Sequence, residues 1–143
     1  MNDFAQNLVF PMSFFVVYVF VFMVLQFRMR LNAMRSGQMS FKYFFAYEAG
    51  KFPPSDKVVI WQNHYNNTLQ VPVLFMIGCV AHMVVGQANL WTLVLAWLFV
   101  VLRIWHAIEH LGRNSLKWRP YIFFFGTFAV VLMYLQLCWF VAR

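Results

Sequence analysis

The stretch VVIWQNHYNNTLQVPVLFMIGCVAHMVVGQANLWTLVLAWLFVVL, residues 58–102, decides the fold, because no Asp, Glu, Lys or Arg interrupts its 45 positions. A helix crosses a bilayer core with about 20 apolar residues. The stretch is too long for one crossing and suits two joined by a tight turn, for which Gly86-Gln87-Ala88-Asn89 supplies the residues. Two further charge-free gaps flank it. Twenty-four residues separate Asp3 from Arg28 and 23 separate Arg119 from Arg143, room for one crossing each. The sequence therefore predicts an all-α, polytopic membrane protein, a four-helix bundle. Its spans are expected near 7–29, 57–84, 89–112 and 119–141, with a cytoplasmic loop near 30–56 and a single membrane domain over 1–143.

Composition agrees with this reading. Hydrophobic residues make up 63% of the 143 and charged residues 10%, too few charges to cover a globule in water. That excludes a water-soluble enzyme, a disordered tail and a disulfide scaffold. Cys79 and Cys138 both lie in apolar runs without a C-x-x-C and read as reduced packing residues. The net charge of +7 points to lipid headgroups rather than nucleic acid, because the basic residues flank apolar runs. Six Lys/Arg fall between Arg28 and Lys57 and three between Arg113 and Arg119, while the Gly86 turn has none. The positive-inside rule then places both basic loops in the cytoplasm and both termini on the other side. Trp61, Trp91, Trp118 and Trp139 fall near span ends, as interfacial tryptophans do. The first span has no basic n-region and a run longer than a signal-peptide core, so a retained helix is expected. Phe41, Tyr43, Phe44, Phe45 and Tyr47 give the first loop an interfacial, amphipathic character.

Polar groups inside a span cost roughly 2.5–3.5 kcal/mol each on insertion scales, so each marks a candidate site. The third span carries Arg103, His106, Glu109 and His110, which at 100° per residue share one third of the helix surface. Arg103 lies ten residues before Arg113, roughly 15 Å into the membrane, and should face a bundle interior or a wet cavity. An intramembrane ion pair that merely orders the bundle is the alternative. The second span carries Asn63, Asn67 and Gln70 at i, i+4 and i+7, with His64 extending the stripe. Alone, such amides read as interhelical glue. Together with Arg28, Arg30, Arg113, Lys117 and Arg119, the two stripes predict one cationic, hydrogen-bonding pocket at the cytoplasmic face. Such a pocket suits a small anionic ligand and an apolar co-substrate from the bilayer. His106-Ala-Ile-Glu109-His110 matches the H-x-x-E-H zinc pattern, but Arg103 on the same face repels a cation, and no metal is expected. His82, beside the outer turn, reads as an ordinary interfacial residue. No inverted repeat or filter supports a channel or transporter.

These residues resemble a family. Arg103-x-x-His106-x-x-x-His110-Leu111-Gly112-Arg113, followed by Arg119, looks like the third helix of the MAPEG superfamily, the membrane-associated proteins in eicosanoid and glutathione metabolism. Gln26-x-Arg28-x-Arg30 is similar to the end of its first helix, and Asn63-His64-Tyr65-Asn66-Asn67-x-x-Gln70-x-Pro72 to its second-helix signature, N-x-x-E followed by Pro. The size and short loops resemble bacterial members, which implies a bacterial inner membrane. The resemblance implies a homotrimer in contact with lipid, with glutathione between adjacent subunits and a lipophilic small molecule as second substrate. The activity implied is that of a glutathione- or other thiol-dependent transferase or peroxidase acting on lipophilic electrophiles or hydroperoxides. Arg28 would hold a glutathione carboxylate and Asn67 the peptide, with Arg103 and His106 lining the site. Arg119 would sit by the sulfur as the catalytic group, where a cation favours the thiolate. Asn63, His64, Gln70 and His110 stand at the remaining glutathione-binding positions. Here the sequence departs from the family. Its second-helix glutamate is Gln70, its arginine falls at Asn63 or His64, and the tyrosine one turn after His106 is His110. Some family members bind lipid without catalysis, so a non-catalytic lipid-binding or scaffold protein is the alternative.

Overall fold

A computed structural model describes residues 2–46, 53–113, 115 and 117–142. Its elements are α1 (Asp3–Asn7), α2 (Val9–Arg35), α3 (Phe41–Ala46), α4 (Asp56–Val85), α5 (Leu90–Leu111) and α6 (Trp118–Val141). No strand occurs among the described residues. α2 together with α1, α4, α5 and α6 are each long and apolar enough to cross a membrane. The molecule is an all-α, four-span membrane bundle.

α2 continues to Arg35, past the residue 29 expected from the charges. Arg28 and Arg30 mark where the helix leaves the apolar phase, not where it ends. The segment after them is rich in Leu, Ala, Met and Arg, good helix formers, and the backbone turns only at Gly37, with φ of 73°. α3 follows within the expected loop. Its Phe41 and Phe45 are exposed one helical turn apart, ring centroids 4.9 Å from each other. Two of the aromatics expected on the interface, the Phe44 side chain and Tyr47, lie outside the described residues, as do residues 47–52.

The turn between α4 and α5 follows its sequence closely. Gly86 takes the left-handed conformation, φ 71°, that ends a helix without a Cβ clash. Asn89 then caps α5. Its side-chain oxygen accepts from the Thr92 amide at 3.1 Å, and Thr92 Oγ1 accepts from the Asn89 amide at 3.3 Å, a reciprocal capping box.

Lipid tails are as apolar as the side chains, so close packing rather than water exclusion holds such helices together. Small buried residues let the backbones approach. Ala96 and Ala107 on α5 and Gly126 and Ala129 on α6 are buried where the most intimate helix pair meets. On α4, Gly78 admits the Tyr134 ring, whose Cε2 would lie 3.2 Å from a Cβ there. The Tyr134 hydroxyl donates to the Leu74 carbonyl at 3.0 Å. Mid-bundle, Phe15, Phe75 and Phe99 form a dry layer, with Phe75 and Phe99 stacked at 4.4 Å. Trp91, Trp118 and Trp139 are exposed, whereas Trp61 stacks on Phe22 at 5.4 Å.

The aromatic layer separates two polar ends. At the end of the Gly86 turn, Asn2 Nδ2 donates to the Ala88 carbonyl at 2.7 Å and fastens α1 across the bundle. Thr92 Oγ1 donates to Gln136 Oε1 at 3.3 Å. His82 corrects its expectation as an interfacial residue. It is fully buried, with Nε2 3.0 Å from the Met133 carbonyl, because its helical phase turns it toward α6 rather than toward lipid. Cys79 and Cys138 are free thiols.

Candidate functional site

The opposite polar end is built where the start of α4, the end of α5 and the start of α6 meet. α4 there has two polar faces rather than the single stripe expected. Asn63, Asn66 and Gln70 are exposed and Asn67 is half-buried on one face, while His64 and Thr68 are buried in the bundle. His64 therefore leaves the stripe of Asn63, Asn67 and Gln70 and joins α5. One step of 100° suffices to turn an adjacent residue from cleft to interior.

Three imidazoles cluster in that interior. His64 Nδ1 lies 3.0 Å from His110 Nδ1. The His64 ring is 5.6 Å from that of His106, which is 5.5 Å from that of His110. His64 Nε2 is 3.5 Å from the Tyr18 hydroxyl of α2. Thr68 Oγ1 donates to the His64 carbonyl at 2.9 Å. Among the described residues, no group of three or more His, Cys, Asp or Glu is arranged to hold a metal ion.

Arg103 is 4% exposed, in the bundle interior. Its guanidinium carbon lies 5.2 Å from the Phe99 ring centroid and 4.8 Å from that of Phe123. Its Nε and Nη2 have no hydrogen-bond partner. The cation thus rests between aromatic faces, a contact of about 0.5–2 kcal/mol, with donors left over. Donors buried without acceptors are costly.

The exposed face of α4 opens on a polar cleft of about 400 Å³ lined by Asn63, Asn66, Asn67, Gln70, His110 and Arg119. Amides, an imidazole and a guanidinium make nearly its entire wall, so it can bind a flexible peptide-like or carboxylate-bearing molecule through many hydrogen bonds. Neighbouring amides are pre-ordered. Gln26 Nε2 donates to Gln62 Oε1 at 2.9 Å, and Gln62 Nε2 donates to Asn66 Oδ1 at 3.1 Å.

One expectation needs correction. The single pocket predicted from both stripes and the flanking cations is divided within one chain. Arg28 lines a second cleft of about 490 Å³ with Asn32, Ser36, Gln38, Lys57 and Trp61. The charges share a membrane face, but α2 and the start of α4 place Arg28 on another side of the bundle. Asn63, Asn67, Gln70, His110 and Arg119 are brought together, and Arg103, His64 and His106 lie in the interior behind them. Sequence reasoning missed Tyr18 as part of this region, and it counted Thr68 and Asn66 among the polar residues of the second span without giving them a role. Tyr18 had a signal, as the one tyrosine in the first charge-free gap.

The family model for the MAPEG family matches residues 8–139, nearly the whole chain. Neither a curated protein nor a solved structure matches.

Proposed function

Since the chain belongs to the MAPEG family, membrane proteins of glutathione and eicosanoid metabolism, we propose that it is a glutathione- or other thiol-dependent transferase or peroxidase for lipophilic electrophiles or hydroperoxides. The observation that carries this reading is the polar cleft in which Asn67, Gln70, His110 and Arg119 converge. Asn67 hydrogen-bonds the peptide of the thiol substrate and Gln70 its ammonium. Arg119 stands beside its sulfur, and an adjacent cation lowers a thiol pKa that is otherwise near 8.5. The thiolate then attacks a co-substrate that arrives from the bilayer. Arg103 and His106 support the cleft from behind.

The working unit in this reading is a trimer. Arg28 lies in a cleft of its own, so it holds a glutathione carboxylate only across a subunit boundary. The protein is read as a bacterial inner-membrane protein with its cleft on the cytoplasmic side, where the basic loops lie, and its termini on the other side. The test is turnover. Purified protein in mild detergent, given reduced glutathione and an apolar electrophile or hydroperoxide, should show saturable activity in both substrates. Rates equal to the uncatalysed background with every class of acceptor would overturn the reading.

Non-catalytic lipid binding is the second reading. An apolar groove of about 690 Å³ between α2 and α4, lined by Val9, Met12, Val16, Met76, Val80 and Met83 among others, favours it. In that case lipid would bind saturably and glutathione would not.

A further inference from the structure

The cleft of about 490 Å³ between the end of α2 and the start of α4 offers more donors than a thiol substrate would use. A glutathione carboxylate would take Arg28 alone, which leaves Lys57, Asn32, Gln38 and Trp61 in the same space. Backbone chemistry builds this cleft. Gly37, with φ of 73°, reverses the chain after α2, and the Gln38 amide donates back to the Ala33 carbonyl at 2.8 Å. The Gln38 carbonyl accepts from the Ser55 amide at 3.1 Å, which brings the start of α4 to the end of α2. Ala33, Met39 and Val58 pack together and hold that junction. Lys57 is thereby set in one cleft with Arg28, and Trp61, stacked on Phe22 at 5.4 Å, gives it a fixed wall.

The wall chemistry suits a phosphate. The Ser36 hydroxyl donates to the Ala33 carbonyl at 3.3 Å, so the donors on offer are a guanidinium, an ammonium and the amides of Asn32 and Gln38. No Asp or Glu is among the described residues that line the cleft; Asp56 precedes Lys57 but does not line it. The depth is that of lipid phosphates, because Arg28 is the first charge after the 24-residue gap and stands where α2 leaves the apolar phase. Val17, Val21 and Leu25 precede it on one face of α2, within about 80° of one another and of Arg28 at 100° per residue. All three are exposed. Asn32 continues that face one turn past Arg28. The face is thus apolar, then cationic, then amide-bearing, which is the polarity order of a phospholipid from chains to headgroup.

We infer that this cleft binds an anionic phospholipid whose headgroup carries hydroxyls rather than a second charge. Arg28 and Lys57 hold the phosphate, Asn32 and Gln38 hydrogen-bond the headgroup, and the acyl chains lie along Val17, Val21 and Leu25. A headgroup ammonium would be brought against two cations with no carboxylate in the cleft to receive it, so zwitterionic lipids are disfavoured. The site is separate from the cleft of Asn67, Gln70, His110 and Arg119, and it does not depend on the thiol reading.

The test titrates detergent-purified protein with phosphatidylglycerol, with phosphatidylethanolamine of the same chains, and with glycerol phosphate as a headgroup without chains, each read by thermal shift. Phosphatidylglycerol should give a saturable rise in Tm, with a midpoint about tenfold or more below that of phosphatidylethanolamine. Glycerol phosphate should give no rise over the same range. Lys57→Gln should raise the phosphatidylglycerol midpoint about fivefold, the effect of one basic residue at the membrane surface. Asn32→Leu should weaken binding with both cations in place. Arg113→Gln removes an exposed cation outside this cleft and should leave the midpoint unchanged. Absence of any rise with phosphatidylglycerol, equal midpoints for the two lipids, or equal losses in Lys57→Gln and Arg113→Gln would overturn the inference. So would glycerol phosphate binding as tightly as the lipid, which would mean a free phosphate ester is the ligand. Displacement of the lipid by glutathione would overturn it too, by returning the cleft to the thiol site.

Discussion

The two polar ends of the bundle hold similar residue types and differ in how they are satisfied. At the Gly86 end, Asn2, Asn89, Thr92, Gln136 and His82 Nε2 are spent on one another or on backbone carbonyls, and His82 Nδ1 alone of these groups is buried without a partner. At the other end, Arg103 keeps Nε and Nη2 without partners in the interior, and amides and a guanidinium line an open cleft. The first arrangement is interhelical glue. The second carries more polar capacity than the fold uses, and that surplus is what a ligand can take up. Counting polar residues in a span does not separate the two cases, whereas asking where each hydrogen bond goes does.

Substitutions at the two ends should therefore fail in different ways. The largest effect is expected from Arg119→Ala. It should lower kcat/KM for glutathione-dependent turnover by roughly 100-fold or more, the scale of losing one charged stabiliser beside the reacting atom. The melting temperature should change little, since Arg119 is only half-buried. Full activity in this variant would break the assignment of the cleft. Gln70→Glu sharpens the same end from the other side. A carboxylate in the cleft should raise glutathione affinity by roughly tenfold, as a charged hydrogen bond of about 1.5–3 kcal/mol replaces a neutral one. Unchanged or weaker binding by calorimetry would show that the ammonium of the ligand does not lie there.

Arg103→Leu tests the surplus directly. Replacing a buried, underused cation with an apolar side chain should leave ligand-free protein as stable or about 1–3 kcal/mol more stable in thermal unfolding. The same variant should lose part of the stabilisation that glutathione gives. Strong destabilisation without ligand would mean that Arg103 is glue like the other end. The smallest effect on function is expected from Thr92→Val at the Gly86 end. Losing the bond to Gln136 and the Thr92 half of the capping box should cost about 1–2 kcal/mol, with turnover unchanged.

Much of this was legible from charge spacing. The gaps between Asp3, Arg28, Lys57, Arg103, Arg119 and Arg143 placed four spans, because a charge in hydrocarbon is expensive enough to leave an unmistakable pattern. Gly86 and Asn89 announced the turn through backbone chemistry that acts locally. The convergence of Asn63, Asn67, Gln70, His110 and Arg119 was also within reach of helical phase and antiparallel order. What failed depended on neighbours. His64 and Asn63 are adjacent in sequence, yet only the packing of α5 against α4 decides which of them faces inward. His82 read as interfacial because its depth was judged along the chain, while its burial comes from α6. Arg28 shares a membrane face with Arg119 but not a cleft, since charge fixes depth and says nothing about position around the bundle. The contacts of His64 with Tyr18 and His110 join three helices and have no local signature.

The central claim is that the cleft of Asn67, Gln70, His110 and Arg119 binds glutathione. The most direct test is a thermal-shift titration of the detergent-purified protein with reduced glutathione, with Arg119→Ala alongside. A ligand at 100 times its Kd stabilises the folded state by about 2.7 kcal/mol, well within what a melting curve resolves. A saturable rise in Tm is expected for the wild type and its loss in the variant. No shift of the wild type at millimolar glutathione, or an equal shift in both proteins, would contradict it.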